Sequence, residues 1–211
     1  ATYYADFDNV YILVMAGQDS TAITIDDPTT VLSPDVSTTL NRGQVTQLWH
    51  VNRLTTVTAD KPVQVQWING TQNAGYDSRG HTLVPSNLWD NEYYSPVPSY
   101  STNSTYVNLY MYNPNLTSLT VSYQDETGSG SCSIPAGATR SYRVCAGRYV
   151  PSGSAVYLSA ASNFFAVGEY ETGGRDYNWG FSIIPTSSLR DEYYVAWAKG
   201  TTDLSANGSP V

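Results

Sequence analysis

Asp77 to Tyr94 reads DSRGHTLVPSNLWDNEYY, and Tyr177 to Tyr194 reads YNWGFSIIPTSSLRDEYY. Laid side by side without a gap, Gly80 falls on Gly180, Pro85 on Pro185, and Glu92-Tyr93-Tyr94 on Glu192-Tyr193-Tyr194. A stretch that recurs in this way marks one supersecondary unit used in tandem. Weaker matches continue upstream in the same order. Asn9 to Met15 resembles Tyr106 to Met111, Ile23-Thr24-Ile25 resembles Leu119-Thr120-Val121, and Leu40 to Gly43 resembles Ile134 to Gly137. Pro62 to Trp67 resembles Phe164 to Glu169. These matches set one unit at residues 1–102 and a second at 103–202, each near the common domain size. Duplicated units suit reach and multivalency better than a single catalytic cleft.

The segments between the breaks read as strands. Tyr11, Leu13 and Met15 share one face, Val63, Val65 and Trp67 another, and Val107, Leu109 and Met111 repeat the first pattern. Strand-sized runs are separated by Asp26-Asp27-Pro28, Ser33-Pro34-Asp35, Asn113-Pro114-Asn115, Gly128-Ser129-Gly130 and Gly173-Gly174, which are turn formers. No amphipathic helix of three turns is visible. The segments after Pro85 and Pro185 predict a short helical or 3₁₀ turn over a sheet end. The fold expected is all-β: two tandem antiparallel β-sandwiches, Ig-like, related by internal duplication. Pro96 to Thr102 is Pro/Ser-rich and predicts a stiff linker between them.

Composition narrows the function classes. Among 211 residues, charged side chains make up 13%, well under the usual quarter. The 18 tyrosines, with Ser, Thr, Asn and Gln, supply the polar surface instead. Net charge is −8, with only 10 lysines and arginines, so the chain lacks the clustered cations that nucleic acid or an anionic membrane requires. The longest apolar run, Tyr11 to Ala16, is far too short to cross a bilayer as a helix. The chain starts at Ala1 without a charged and apolar leader, which predicts a removed signal peptide or a segment of something longer. Asn207 to Val211 resembles Asn103 to Val107. Residues 203–211 therefore predict the start of a third unit, or a strand passed to a neighbouring subunit.

Cys132 and Cys145 flank the turn signal Pro135-Ala136-Gly137, which predicts a disulfide across a hairpin. Closing so short a loop contributes about 3 kcal/mol in the chain-entropy model. Asn69, Asn103, Asn115 and Asn207 stand in N-x-Ser/Thr sequons, a short pattern that marks candidate glycosylation sites.

Catalytic chemistry finds little to work with. His81 lies in Asp77-Ser78-Arg79-Gly80-His81, but there is no G-x-S-x-G, and the repeat places Phe181 where His81 stands. His50 follows Trp49 in a strand-like run. Glu92 and Glu192 are copies of one position on separate units, not two carboxylates flanking one sugar. No zinc spacing occurs. Asp6, Asp8, Asp26 and Asp27 are candidate calcium oxygens at strand ends, although solvated acidic turns are the commoner meaning of such residues. No cofactor is expected. The aromatics near the repeated blocks, Trp89, Tyr94, Trp179 and Tyr194 foremost, are candidate stacking surfaces for a glycan or anchors for a protein partner.

The repeated block, with Gly180, Ile183-Ile184-Pro185, Leu189 and Asp191-Glu192-Tyr193-Tyr194-Val195, resembles the N-terminal domain family of the IgG-Fc-binding protein. Lys61 to Val65 and Asn163 to Glu169 are similar to it too. The resemblance implies an extracellular, repetitive, β-rich binding or matrix protein. It transfers no site residues and does not imply immunoglobulin binding. The reading of the whole chain is a non-enzymatic extracellular structural or adhesive protein. It would be a tandem-repeat subunit or segment of a surface filament, matrix fibre or large adhesin, self-associating end to end or continuing into further repeats. The alternative is a carbohydrate- or protein-binding module that uses exposed Trp and Tyr.

Overall fold

A computed structural model describes residues 9–49, 51, 55–70, 79–100, 105–172 and 178–192. The protein is all-β, with several antiparallel sheets. The first half supplies β1 (Asn9–Ala16), β2 (Thr21–Asp26), β3 (Val36–Leu40), β4 (Val45–Trp49), β5 (Thr56–Ala59), β6 (Val63–Gly70), β7 (Arg79–Thr82) and β8 (Asp90–Ser95). The second supplies β9 (Thr105–Tyr112), β10 (Leu119–Asp125), β11 (Gly128–Ile134), β12 (Thr139–Ser141), the helix α1 (Tyr142–Ala146), β13 (Val156–Thr172) and β14 (Trp179–Ser182). The expected turns after the repeated prolines are both 3₁₀, at Ser86–Leu88 and Thr186–Ser188.

The pairing order runs in parallel in the two halves. The first half forms a sheet β4-β1-β6-β7 and a sheet β3-β2-β5. In the second, β13 serves both corresponding sheets. Its first part pairs with β10, which pairs in turn with β11, and its last part pairs with β9 and β14. The register shifts between Ser159 and Phe164, where β13 passes from one set of partners to the other. In the first half the same passage is broken by Asp60-Lys61-Pro62, which ends β5 and begins β6.

Alternation drives the strands to their faces, as a period of two requires. In β1 the buried face is Ile12, Val14 and Ala16, while Met15 is exposed. In β9 it is Val107, Leu109 and Met111. Leu109 lies opposite Gly168, and Ile12 opposite Trp67. The pattern of β9 therefore repeats the Ile12 face and not the Tyr11 face; both faces of β1 are apolar, so alternation alone did not decide between them. The match of Pro62–Trp67 to Phe164–Glu169 is also out by one. Trp67 opposite His81 corresponds to Gly168 opposite Phe181.

The core divides into two clusters, and neither respects the sequence boundary at residue 102. One gathers Val107, Leu109, Val121, Ile134, Leu158 and Phe164, and takes in Tyr93 and Val97 from before the boundary. The other gathers Ile12, Val14, Ile23, Ile25 and Trp67, and takes in Phe165 and Val167 from after it. The Pro96–Thr102 segment is correspondingly no free spacer where it is described. Ser99 bridges Ser152, and its hydroxyl accepts a hydrogen bond from the Val107 N–H at 2.8 Å.

Cys132 and Cys145 are bonded, with Cα atoms 5.2 Å apart. The bridge does not span a hairpin. Cys132 lies on β11, whose neighbour is β10, and Cys145 lies on α1. The Pro-Ala-Gly turn leads instead into β12, which pairs with β9. Helix α1 is brief because it is closed at both ends. Ser141 caps it by accepting from the Val144 N–H, and Gly147 ends it at φ 70°, a conformation that favours glycine. Beside it, Arg148 reaches both Asp125 oxygens at 2.8 and 2.9 Å, and the Tyr142 hydroxyl donates to the same carboxylate. Burial pushes the Asp125 carboxyl up, but the bonds from Tyr142, Thr127 and Arg148 outweigh it and hold the group down at about 2.

Candidate functional site

The two copies of the repeated block meet one another. β7 and β14 pack face to face, and the Ser182 hydroxyl donates to the Thr82 carbonyl across a separation of 100 residues. On one side the His81 ring stacks on Trp67, 4.4 Å between centroids, and lies where a side chain on Gly180 would have to go. On the other the Phe181 ring occupies the space over Gly168. Glycine is required at both positions because an aromatic ring from the neighbouring strand fills the place of a Cβ.

Below this contact lies a buried charged group. Glu169 is fully buried, with Arg79 Nε 3.8 Å away and His81 Nε2 3.9 Å away. Arg79 also lies 4.0 Å from Glu171. Burial lowers His81 to about 4, and the Arg79 charge adds to the effect, so the ring is neutral at physiological pH. Burial and the neighbouring Glu169 and Glu171 push the Tyr110 hydroxyl well up. An Arg, a neutral His and a Glu resemble catalytic parts. With His81 and Glu169 closed off from solvent, however, no substrate reaches them. Their geometry suits holding the two blocks together.

The junction's second feature is β8. By sequence it closes the first unit, yet it pairs with the first part of β13. Tyr93 lies opposite Leu158, Tyr94 opposite Tyr157, and Glu92 opposite Ser159. Successive residues point to opposite faces, so Tyr93 is buried at 1% exposure while Tyr94 is exposed at 47%. The Tyr93 hydroxyl donates to the Phe164 carbonyl at 2.6 Å and accepts from the Asp90 N–H at 3.1 Å. Its ring packs on Phe164 at 4.8 Å, and burial pushes its hydroxyl up to about 12. The Asp90 carboxylate accepts from the Ser187 N–H, and Tyr93 bridges Pro185. Each repeated block thus helps to seat the other.

The candidate aromatics divide. Trp89 is packing: its Nε1–H donates to the Val84 carbonyl at 2.8 Å, and its ring stacks on Phe165. Tyr94 packs on Tyr157 with the rings tilted, 4.7 Å between centroids, and is 47% exposed. Trp179 is 43% exposed and stacks on Tyr170. Asn115 is half-buried, and its side-chain amide donates to Asn113 and to the Asn163 carbonyl. Asp27 is buried, with one oxygen taking the Thr29 N–H and hydroxyl. Asp26 is half-buried at the end of β2. Asp6, Asp8, His50, Asn103, Tyr194, Asn207 and the 203–211 segment lie outside the described residues, as does the side chain of Asn69.

Sequence reading did not anticipate the place of β8, nor Glu169 as the partner of Arg79. The signal available was the buried pattern of the Glu-Tyr-Tyr motif. A motif repeated after a turn, with one tyrosine facing in, is a strand in search of a sheet.

This architecture is all-β, with several antiparallel sheets. The IgGFc binding protein family model matches residues 1–207, and the chain belongs to that family. Proteins of the family are extracellular. No curated protein and no solved structure matches the chain. No helix among the described residues is long and apolar enough to cross a membrane.

Proposed function

We propose that this chain is a non-enzymatic extracellular structural or adhesive protein, a tandem-repeat subunit or segment of a surface filament, matrix fibre or large adhesin. The observation that carries this reading is β8. The last strand of the first unit by sequence pairs into a sheet of the second, so successive units interlock rather than hang on a tether. The units are residues 1–102 and 103–202 by sequence, with the 203–211 segment opening a third unit or joining a neighbouring subunit. Interlocking of this kind continues from copy to copy, and head-to-tail contacts that do not close make filaments. The Cys132–Cys145 bridge fits an oxidising compartment. Negative-stain electron microscopy and sedimentation of the native protein test the proposal. Linear assemblies are expected; a monomer at all concentrations up to the millimolar range rules the filament out.

A second reading, a glycan- or protein-binding module, is favoured by the open aromatic pairs Tyr94–Tyr157 and Trp179–Tyr170. A glycan array and a binding titration against IgG Fc examine it. Signal that disappears in Trp179→Ala supports that reading over a purely structural one. Asn115 is poorly suited to a glycan, since its amide is already engaged. Peptide mass mapping is expected to find it unmodified, and any glycan at Asn69, Asn103 or Asn207.

A further inference from the structure

The halves differ in one respect that matters for assembly. In the second half the sheet containing β11 and β10 runs on through β13 to β8. In the first half the sheet β3-β2-β5 ends at β5 among the described residues. The registers make the two edges correspond, with Ile23 falling on Val121 and not, as the sequence match had it, on Leu119. Ile23 pairs with Ala59 as Val121 pairs with Ala160, and Ile25 pairs with Val57 as Tyr123 pairs with Leu158. Asp26 pairs with Thr56 as Gln124 pairs with Tyr157. The outer edge of Thr56-Val57-Thr58 therefore stands where the edge of Tyr157-Leu158-Ser159 receives Glu92-Tyr93-Tyr94.

That edge is short, four residues, but within it stands no charge, proline or bulge. Thr-Val-Thr is β-branched, uncharged and free of proline, whereas protected edges carry lysine, proline or a bulge. Its inward residue, Val57, packs against the first-half core, and Val63 holds the place that Phe164 holds beneath Tyr93.

The strand suited to this edge is also written in the chain. Turn Ser86–Leu88 launches β8, entering at Pro85 with φ −54° and ψ 141° and leaving at Trp89 with φ −66° and ψ 150°. Turn Thr186–Ser188 enters at Pro185 with φ −56° and ψ 145° and leaves at Leu189 with φ −66° and ψ 146°. Both turns close with the same hydrogen bond, at 2.9 Å, to the proline carbonyl. The backbone is thus delivered to residue 190 as it is to residue 90, and Glu192-Tyr193-Tyr194 follows as Glu92-Tyr93-Tyr94 does.

We propose, resting on the end-to-end reading above, that the outer edge of β5 is a strand-acceptor site and that its occupant is Glu192-Tyr193-Tyr194 of a second copy of this chain. The pairing is antiparallel, with Tyr193 opposite Val57, Tyr194 opposite Thr56 and Glu192 opposite Thr58. Tyr193 turns into the first-half core, and its hydroxyl is directed to the Val63 carbonyl. Main-chain bonds supply the affinity and the inward tyrosine sets the register, as in other strand additions.

The test uses two full-length variants, Thr56→Cys and Tyr194→Cys. The chain's two native cysteines are already bonded to each other, and Thr56 is exposed. Mixed under mild oxidation, they are expected to give a reducible dimer with a disulfide between positions 56 and 194, and at least tenfold less dimer from either variant alone. The chain's own Thr2-Tyr3-Tyr4 carries a tyrosine pair without the proline turn. A double variant, Tyr4→Cys with Thr56→Cys, that closes within one chain while the mixture gives no dimer overturns the proposal in favour of that segment. Filaments without the 56–194 link overturn the acceptor site and leave the end-to-end reading standing. Linked dimers without filaments support the site while the filament reading fails.

Discussion

At the scale of single residues, Tyr93 and His81 show how one buried polar group is used for order rather than for reaction. The Tyr93 hydroxyl answers both a donor and an acceptor inside the core. Tyr93→Phe keeps the ring and leaves both groups unanswered. It is expected to cost about 1–3 kcal/mol, read as a lower denaturant midpoint at unchanged slope. His81 has its folded value near 4 against an ordinary 6.5. Because the lowered value belongs to a base, the unfolded chain binds the extra proton first. Stability is complete above about 6.5, falls as pH drops from 6.5 to 4, and changes no further on this account below 4. The full loss is about 3 kcal/mol. Unfolding curves taken across that window are expected to show the slope in the native chain and to lose it in His81→Phe, the residue that the second block already carries.

At the scale of elements, the decisive pairs are strand against strand. Gly168 and Gly180 exist because Phe181 and His81 take the space above them. Gly168→Ala forces the Phe181 ring away and is expected to cost about 1–3 kcal/mol, whereas a typical exposed strand glycine gains from the same change. Removing the Cys132–Cys145 bridge by paired serine substitution is expected to cost about 2–4 kcal/mol, measured as a fall in Tm, and to leave β7, β8 and β14 in place. Much of this level was legible in the sequence. The strands and the proline turns follow from alternation and turn chemistry, whereas the meeting of like blocks does not: the repeat placed them on separate units joined by a stiff linker, and the structure brings them together. What was not legible has physical causes. β1 is apolar on both faces, so period two left its buried side open. Cys145 stands on a helix because Ser141 and Gly147 cap one there, a local signal outweighed by the Pro-Ala-Gly turn. Glu169 and Arg79 are far apart in sequence, and no local pattern announces a partner across sheets.

At the scale of the molecule, the units by sequence and the units by packing are offset. A fragment of residues 103–211 omits β8 and leaves the core around Leu158 and Phe164 without Tyr93. It is expected to aggregate or remain unfolded, while a fragment of residues 86–211 regains cooperative unfolding. Circular dichroism with thermal melts distinguishes them, and equal behaviour of the two fragments removes the interlock from the account. Both core clusters cross residue 102, because sequence similarity is read along the chain, whereas burial records where the chain goes.

The antiparallel ladder between β8 and β13 has a mechanical meaning. The chain enters β8 at Asp90, from the first unit, and the ladder from Glu92 to Ser95 lies lengthwise along the strand that anchors the second. A pull that separates the units along that direction runs down the strand axis. In that direction the paired residues are loaded together in shear. Under tension the join between units is expected to yield at forces comparable with those that unfold the units themselves, so a fibre made of such joins would have no weak link at its seams.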